Sequence, residues 1–187
     1  MLVKRLTDFF LDIVEVVVFA IAIFLFIYLL VLQPHKIKGQ SMEPNFSDGE
    51  YLLTDKVTYR FGDPARGDVI VFEAPGTQGD EFIKRIIGLP GEKISLREGK
   101  VYIEGKVLSE SYLPQGTITR GSTFLKDNFD VEVPNEHFLV LGDNREASSD
   151  SRTWGFISKD VITGRAWIVY WPPDKSGVIK EAAYSFN

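Results

Sequence analysis

With 187 residues, a hydrophobic content of 44% and a formal net charge of −5, the chain has room for one membrane segment and one folded domain, but not for a second enzyme domain. An acidic domain argues against nucleic-acid binding, which needs a basic surface. The chain contains no cysteine and only two histidines, His35 and His137, so we expect neither a cysteine nucleophile nor a multi-histidine metal site, and no cofactor.

The first predicted element is a membrane-spanning helix. Residues 16–32 form an uninterrupted apolar run, which at about 1.5 Å per residue nearly crosses a hydrocarbon core of about 30 Å. Residues 33–36 follow without a small-x-small cleavage site, so we interpret residues 1–34 as a short cytoplasmic stub and an uncleaved anchor. Asp12 and Glu15 are expected near the headgroups. Basic residues lie on both sides of the run, so charge alone does not determine its orientation.

After the anchor, short segments rich in β-branched and aromatic residues predict an all-β domain at residues 35–187. The predicted strands are residues 50–54, 68–72, 82–87, 93–96, 101–103, 137–141 and 166–171. Turns at Glu98-Gly99 and Glu104-Gly105 predict a hairpin within residues 94–108, with Val101 and Ile103 on one face. Residues 113–134 are polar and weakly periodic, which leaves a floppy insertion and the rim of a cleft as open interpretations.

The segment GQSMEP, residues 39–44, begins a few residues after the apolar run and therefore at a membrane surface. Gly39 allows a close approach of the backbone, and Pro44 cannot continue a hydrogen-bonded ladder. This pattern places Ser41 on a bent, open loop that suits a nucleophile. Taken alone, it also fits an ordinary serine in a turn.

Residues 82–87 read FIKRII, a strand-like run with two basic residues in its apolar centre. Because side chains alternate along a strand, either Lys84 or Arg85 is directed toward an apolar face. A lysine removed from water has a lowered pKa and can act as a general base, which arginine cannot. The alternative is that both side chains reach the surface from an edge strand.

A third segment, GDNREASSDSR at residues 142–152, concentrates hydroxyl groups and opposite charges in one loop. Asp150 and Arg152 can pair and fix the loop. A neighbouring serine could then bond and orient an amine, and the candidates are Ser148, Ser149 and Ser151. The alternative is an Asx-turn with a surface ion pair that contributes little to stability.

Together with the anchor, four segments resemble, in the same order, the successive sequence boxes of type I signal peptidases, the Ser/Lys serine proteases of peptidase family S26. They are GQSMEP at 39–44, RGDVIVF at 66–72, FIKRIIGLPGE at 82–92 and GDNREASSDSRTWGF at 142–156. The resemblance covers most of the chain, and the ordered set is far more specific than any single box.

The resemblance implies a mainly antiparallel β catalytic domain, with a small inserted β subdomain at about residues 94–136. It implies that Ser41 is the nucleophile, Lys84 the general base and Ser148 the residue that hydrogen-bonds the lysine. Asp150 and Arg152 correspond to a structural pair. In some members a serine two residues before the nucleophile donates to the oxyanion hole, whereas this chain has Gly39 and keeps the backbone N–H of Ser41.

The implied function is that of a membrane-bound serine endopeptidase that cleaves signal peptides from exported preproteins, with its catalytic domain on the extracytoplasmic side of the plasma membrane. The expected partners are preprotein signal peptides and the lipid bilayer; association with the secretion machinery is left open, and nucleic acid is not expected. An extended peptide would lie in a groove that contacts Ile37, Gly39, Met42, Phe82 and Ile83. Shallow pockets there would require small residues directly before the cut and two residues earlier, as the resemblance also implies.

Three other functions explain the sequence less well. A Ser/Lys self-cleaving regulator would need a DNA-binding helical module where this chain has its apolar run. A Ser-His-Asp enzyme is a poorer explanation, because neither histidine lies in a segment that resembles a catalytic one. A membrane-tethered, non-catalytic peptide-binding module would keep its cellular role after the change Ser41→Ala.

Overall fold

A long N-terminal helix, α1 Leu2–Leu30, precedes a domain of antiparallel strands. The computed structural model of the protein describes residues 2–77, 79–180 and 182–186. The strands in these residues are β1 Leu32–Lys36, β2 Tyr51–Asp55, β3 Val69–Glu73, β4 Glu81–Gly88, β5 Lys93–Arg97, β6 Lys100–Ile103, β7 Lys106–Glu110, β8 Asp130–Glu132, β9 His137–Leu141, β10 Ile157–Ser158, β11 Ile162–Trp171, β12 Gly177–Val178 and β13 Tyr184–Phe186. Between them lie the short helices α2 Thr58–Phe61 and α3 Ser151–Trp154, and 3-10 turns at Lys159–Val161 and Pro173–Lys175. The predicted class, mainly β with one N-terminal apolar helix, is confirmed.

Helix α1 includes a segment, Lys4–Leu30, that is long and apolar enough to cross a membrane, and its large apolar side chains are exposed. The helix ends before the predicted anchor does, because Leu32 already belongs to β1. Pro34 explains the change of structure, since it fixes its own φ and disfavours the helical conformation of the preceding residue. Strand β1 instead pairs antiparallel with β2, and Pro34 is accommodated because β1 is an edge strand.

The larger sheet has the order β1-β2-β11-β3-β4-β9-β10, with β12 paired to β11. Successive side chains of β3 alternate between two clusters of buried residues, Val69 and Val71 in one and Ile70 and Phe72 in the other. The centre of the sheet is therefore covered on both faces. This explains why β3 is continuously apolar rather than alternating.

The smaller sheet has the order β13-β7-β6-β5-β8. The predicted turns at Glu98-Gly99 and Glu104-Gly105 have positive φ and join β5, β6 and β7 into a meander. Val101 and Ile103 are both buried, as expected for one face of β6. Residues 94–136, predicted as a subdomain, supply β6, β7, β8 and most of β5, while β13 comes from the C-terminal segment.

Residues 113–134 are held against the smaller sheet. Leu125 is fully buried in its core, and Val131 of β8 pairs with Ile94 of β5. The interpretation of this segment as a floppy insertion is therefore wrong.

Candidate active site

The loop between β1 and β2 holds Ser41 in a fixed turn. Gly39 has a φ of +87°, a left-handed conformation that favours glycine, and its N–H donates to Asp48 Oδ1 at 2.7 Å. On the other side of the serine, the N–H of Phe46 donates to the carbonyl of Met42 at 3.0 Å, and both side chains are buried. The turn is thus tied down on both sides of Ser41, which stays partly exposed.

Lys84 reaches Ser41 from β4. Its Nζ donates to Ser41 Oγ at 2.7 Å and to the carbonyl of Ile83 at 2.9 Å, and the residue is only 3% exposed. Strand β4 lies between β3 and β9, so the alternative of an edge strand with both basic side chains at the surface is wrong.

Burial lowers the pKa of Lys84 to about 8, because the charged ammonium loses its hydration. The negative charges of Asp150 and Asp143 act in the opposite direction and limit the shift. A useful fraction of the amine is therefore neutral at a mildly alkaline pH. A neutral amine in contact with a hydroxyl can accept its proton.

Gly142 lets the loop after β9 approach the turn that holds Ser41. A Cβ at this position would lie 2.2 Å from Ser148 Oγ and 2.4 Å from the carbonyl oxygen of Ser41, distances that real Cβ atoms do not adopt. Ser148 Oγ is buried and has no hydrogen-bond partner among the described residues. Ser151 Oγ, by contrast, already accepts a bond from the N–H of Val140. The loop therefore places Ser148 beside the turn that holds Ser41, with a hydroxyl group that can form a hydrogen bond.

A buried ion pair fixes the same loop. Arg152 Nε and Nη2 donate to the two carboxylate oxygens of Asp150 at 2.8 and 2.9 Å, and Asp150 Oδ2 also accepts from the N–H of Gly142 at 3.1 Å. The carbonyl of Arg152 accepts a bond from the N–H of Leu125 at 3.0 Å. Asp150 and Arg152 thus form a buried structural network, and the alternative of a surface ion pair is wrong.

Two further residues of this loop hold the site, and the sequence analysis did not single them out. The backbone N–H of Asn144 donates to the carbonyl of Ser41 at 3.0 Å, and its side-chain amide donates to the carbonyl of Gln40 at 3.1 Å. Asp143 accepts two bonds from Arg85, at 2.9 and 2.6 Å, in an almost fully buried pair. Arg85 is thus paired with Asp143, while Lys84 contacts Ser41. The short GDN sequence was the available signal, but sequence could not indicate which loop it contacts.

A groove of about 740 Å³ leads from the end of α1 to Ser41 and Lys84. One wall consists of residues 33–41, and the other includes residues 79–84. Four of the predicted substrate-binding residues line it, namely Ile37, Gly39, Phe82 and Ile83. Met42 does not, since it is 1% exposed and packs in a core cluster with Phe46 and Leu52. The side chain of Met42 supports the turn that holds Ser41 from inside the domain, so its predicted position in the groove is wrong.

Comparison with known proteins identifies the family of this chain. Residues 10–171 match the family model described as signal peptidase, peptidase S26. The chain is 35% identical over 178 residues to a probable signal peptidase I-2 from Synechocystis sp., an alignment that covers 92% of this chain and 78% of the relative. This chain belongs to the signal peptidase family, peptidase S26. As an S26 peptidase it is a serine endopeptidase.

Other S26 relatives are similar over most of their length. The chain is 34% identical over 168 residues to a signal peptidase IB from Staphylococcus aureus (strain MRSA252), with 84% of each chain covered. Among solved structures, a signal peptidase I from Enterococcus faecalis V583 is 36% identical and aligns with a TM-score of 0.47, covering 56% of this chain and 97% of that chain. The residues matched by the S26 family model include all of the site residues described above, from Gly39 to Arg152.

Proposed function

We propose that this S26 peptidase removes signal peptides from preproteins, with Ser41 as the nucleophile and Lys84 as the general base. The observation that carries the proposal is the 2.7 Å contact between Lys84 Nζ and Ser41 Oγ, made by a lysine that is only 3% exposed. The substrate class follows from the relatives, which are described as signal peptidases.

In the first half of the reaction, Ser41 Oγ attacks the carbonyl carbon of the scissile bond while neutral Lys84 accepts the hydroxyl proton. The resulting ammonium gives this proton to the nitrogen of the leaving amine as the carbon–nitrogen bond breaks. The mature chain leaves, and the signal peptide remains as an ester on Ser41. Neutral Lys84 then takes a proton from a water molecule whose oxygen attacks the ester, and it returns that proton to Ser41 Oγ as the signal peptide departs.

The backbone N–H of Ser41 is the donor that we assign to the oxyanion of the tetrahedral intermediate. Gly39 offers no side-chain donor at the position where some family members have a serine. Its own N–H already bonds Asp48. Position 39 therefore contributes neither a hydroxyl nor an unbonded N–H, and the backbone N–H of Ser41 is the donor assigned here.

Ser148 is the residue that we assign to orient Lys84. In the structure Lys84 Nζ bonds Ser41 and the carbonyl of Ile83, and Ser148 Oγ is buried with no partner within the described chain. Ser148 Oγ is therefore available to accept a hydrogen bond from the ammonium that forms during the reaction. This bond would keep the amine directed at Ser41 through the proton transfers. Ser148 thus acts through the lysine rather than on the substrate.

We further propose that α1 is a single membrane anchor and that the catalytic domain lies on the extracytoplasmic side of the plasma membrane. Helix α1 ends at Leu30, and the lining of the groove begins at Gln33. A preprotein held in the same bilayer by its own apolar segment would meet the groove close to the membrane surface. The bilayer and the preprotein are the partners that this arrangement needs, and association with the secretion machinery is compatible with it.

The proposal is tested by cleavage of a model preprotein with the full-length chain in detergent or lipid vesicles. Ser41→Ala and Lys84→Ala should each lower kcat on the order of a thousandfold or more, because nucleophile and base act as one unit. For the same reason the double variant should be no worse than either single one. Lys84→Arg should also be inactive, since arginine stays protonated.

Two control variants replace the same residue types on the smaller sheet, away from the groove. Ser109→Ala and Lys100→Ala should keep wild-type activity, and circular dichroism should give the same spectrum for all variants. A folded Lys84→Ala variant that retained most of its activity would refute the assigned base. Cleavage that survived Ser41→Ala would refute the assigned nucleophile.

A further inference from the structure

The two walls of the groove touch each other at two places. Ser41 and Lys84 meet at one end, where Oγ and Nζ are 2.7 Å apart. His35 and Glu81 meet at the other end, where Nδ1 and Oε2 are 3.0 Å apart. His35 lies on β1 and Glu81 on β4, strands separated by three others in the order of the larger sheet. The contact therefore bridges the groove from wall to wall.

The pair of His35 and Glu81, called here the upstream clasp, is held in place and partly accessible from the groove. The second carboxylate oxygen of Glu81 accepts a bond from Thr163 Oγ1 at 2.7 Å. The side chains of His35 and Glu81 are 12% and 31% exposed, and both residues line the groove. His35 Nε2 is buried and has no hydrogen-bond partner among the described residues. The proposed mechanism uses neither side chain.

The spacing along β4 sets the distance between the two contacts. Glu81 precedes Lys84 by three residues of an extended strand, which corresponds to about 10 Å. An extended peptide advances by the same distance per residue, so if its first residue before the cut lies at Ser41, its fourth residue before the cut lies at the clasp. His35 lies five residues after the end of α1. In the proposed function the substrate enters the groove from the membrane at this end, so the clasp contacts the part of the substrate that precedes the cut.

We propose that the upstream clasp closes the peptide groove and selects the side chain of the fourth residue before the cut. This inference rests on the proposed function and adds a specificity determinant to it. A bulky apolar side chain over the clasp would take the Glu81 carboxylate out of water without offering it a hydrogen bond, which disfavours binding. An amide or hydroxyl side chain could instead donate a hydrogen bond to the carboxylate, which is partly exposed to the groove. The groove should therefore accept polar residues at this position and discriminate against Leu and Phe.

The experiment uses the full-length chain in vesicles and four preproteins that differ only in the fourth residue before the cut, which is Gln, Ser, Leu or Phe. For the wild type we expect a KM that is on the order of tenfold higher with Leu or Phe than with Gln, and a similar kcat, because the dyad is untouched. In His35→Ala the ratio should fall to about twofold or less, since the clasp is open. Glu81→Gln should lower the ratio as well, because it removes the charge whose desolvation disfavours an apolar side chain at this position.

The matched control is His137→Ala, which removes the other histidine of the chain, whose Nδ1 contacts the carbonyl of Asn135 away from the groove. This variant should keep the wild-type ratio. If His35→Ala does not fold, Glu81→Ala opens the same contact and should give the same loss of preference. Equal KM values for the four substrates with the wild type would overturn the proposed role of the clasp in selectivity. An unchanged KM ratio in the folded open-clasp variant would do the same, and neither result would affect the proposed function. Failure of the wild type to cut any of the four would overturn the proposed function, and the clasp with it.

Discussion

The protonation state of Lys84 links its burial to the rate of the reaction. With a pKa of about 8, lowered by burial, about a tenth of the lysine is neutral at pH 7. We expect kcat/KM to rise about tenfold per pH unit below pH 8 and to level off above about pH 9. The measurement is a pH–rate profile of preprotein cleavage between pH 6 and pH 10, with folding monitored at each pH. A flat profile across this range would contradict a titrating lysine base.

The same burial costs stability, and the sign of the effect follows from linkage. The pKa of Lys84 is lowered from 10.5 in the unfolded reference to about 8 in the folded chain. Between these values the unfolded chain binds more protons, so stability rises with pH in this window and the full cost is present below pH 8. A shift of this size corresponds to an order-of-magnitude cost of about 3 kcal/mol.

We therefore expect Lys84→Met to be inactive but more stable than the wild type at pH 7, with a higher Tm in detergent. The advantage should shrink as the pH rises toward 10, because the lysine of the folded wild type is then neutral and no buried charge is left to penalise. Lys100→Met, at an exposed position of the smaller sheet, is the control and should change the Tm little. If the difference in Tm between Lys84→Met and the wild type increased with pH, the effect would have the opposite sign. That result would refute a stability cost from the buried charge of Lys84.

At the residue scale, the sequence predicts site residues whose signal lies within a few neighbouring residues. Ser41 and Lys84 stand out because a Gly/Pro-flanked serine and a lysine inside an apolar strand are visible in short windows. The bonds from Asn144 to the nucleophile turn join distant segments, so no local pattern reveals them. Met42 was placed in the groove because it is apolar and adjacent to Ser41, but the turn directs its side chain into the core.

At the element scale, the predicted strands are present because each apolar run is bounded by turn residues, which fixes both its type and its approximate length. Strand β1 was missed because its start continues the apolar run of the helix, and Pro34 was taken as the end of the anchor. Strand β11 begins at Ile162, earlier than predicted, because Gly164 hides the pattern. A Cβ at Gly164 would lie 2.3 Å from the carbonyl of Asp55, so the glycine permits close pairing with β2. Strands β10, β12 and β13 have only two or three residues, too few to show a pattern. The partners of β10 and β13 also lie far away in sequence, in β9 and β7.

The loop that follows β9 provides a prediction about Gly142. In Gly142→Ala the new methyl group would collide with the carbonyl of Ser41 and with Ser148 Oγ, so the loop and the nucleophile turn must move apart. Because a displacement of about 1 Å can cost on the order of a hundredfold in rate, we expect kcat to fall about a hundredfold. KM should change less, because the walls of the groove upstream of Ser41 are unaffected.

The matched control for this prediction is Gly177→Ala on β12, where a Cβ would meet nothing within 4 Å. Steady-state cleavage assays on both variants, with a thermal melt to confirm folding, provide the comparison. Near wild-type kcat in Gly142→Ala would mean that the close contact among Gly142, Ser148 and Ser41 is not needed for catalysis.

At the scale of the whole molecule, helix α1, the first strand of the larger sheet and one wall of the groove follow one another within a short stretch of chain. Strand β1 both follows α1 and forms part of one wall of the groove, and β4 carries Lys84 on the other wall. The smaller sheet packs against β4 and β9, because Ile87, Leu139 and Leu141 share one core cluster with its buried residues. The loop of residues 142–152 adds a further connection through the bonds from residues 124 and 125 to the carbonyl of Arg152. A substrate strand would lie beside β1, whose outer edge is unpaired in the sheet order.

This arrangement predicts which substrates are cleaved. Side chains of an extended peptide alternate, so the residue directly before the cut and the one two positions earlier point to the same side of the groove. The apolar side chains there include Ile37, which is 4% exposed, and Ile83, which is partly buried, so the space beside them is shallow. We expect Ala at both substrate positions to support cleavage, and Leu or Phe directly before the cut to lower kcat/KM on the order of a hundredfold by displacing the carbonyl from Ser41.

Ile37→Ala and Ile83→Ala should each deepen a pocket and restore part of the cleavage of the substrates with larger residues. The measurement is kcat/KM for preproteins that carry Ala, Val, Leu or Phe at each of the two positions, with the full-length chain in vesicles. Val178→Ala, at an exposed position on β12, is the control and should keep the wild-type order of preference. Met42→Ala should lower the Tm without widening the range of substrates, because Met42 packs in the core beneath the nucleophile turn. Efficient cleavage by the wild type of substrates with Leu or Phe directly before the cut would refute the proposal that these pockets are shallow. A large side chain would then fit where the walls of the groove are expected to leave no room.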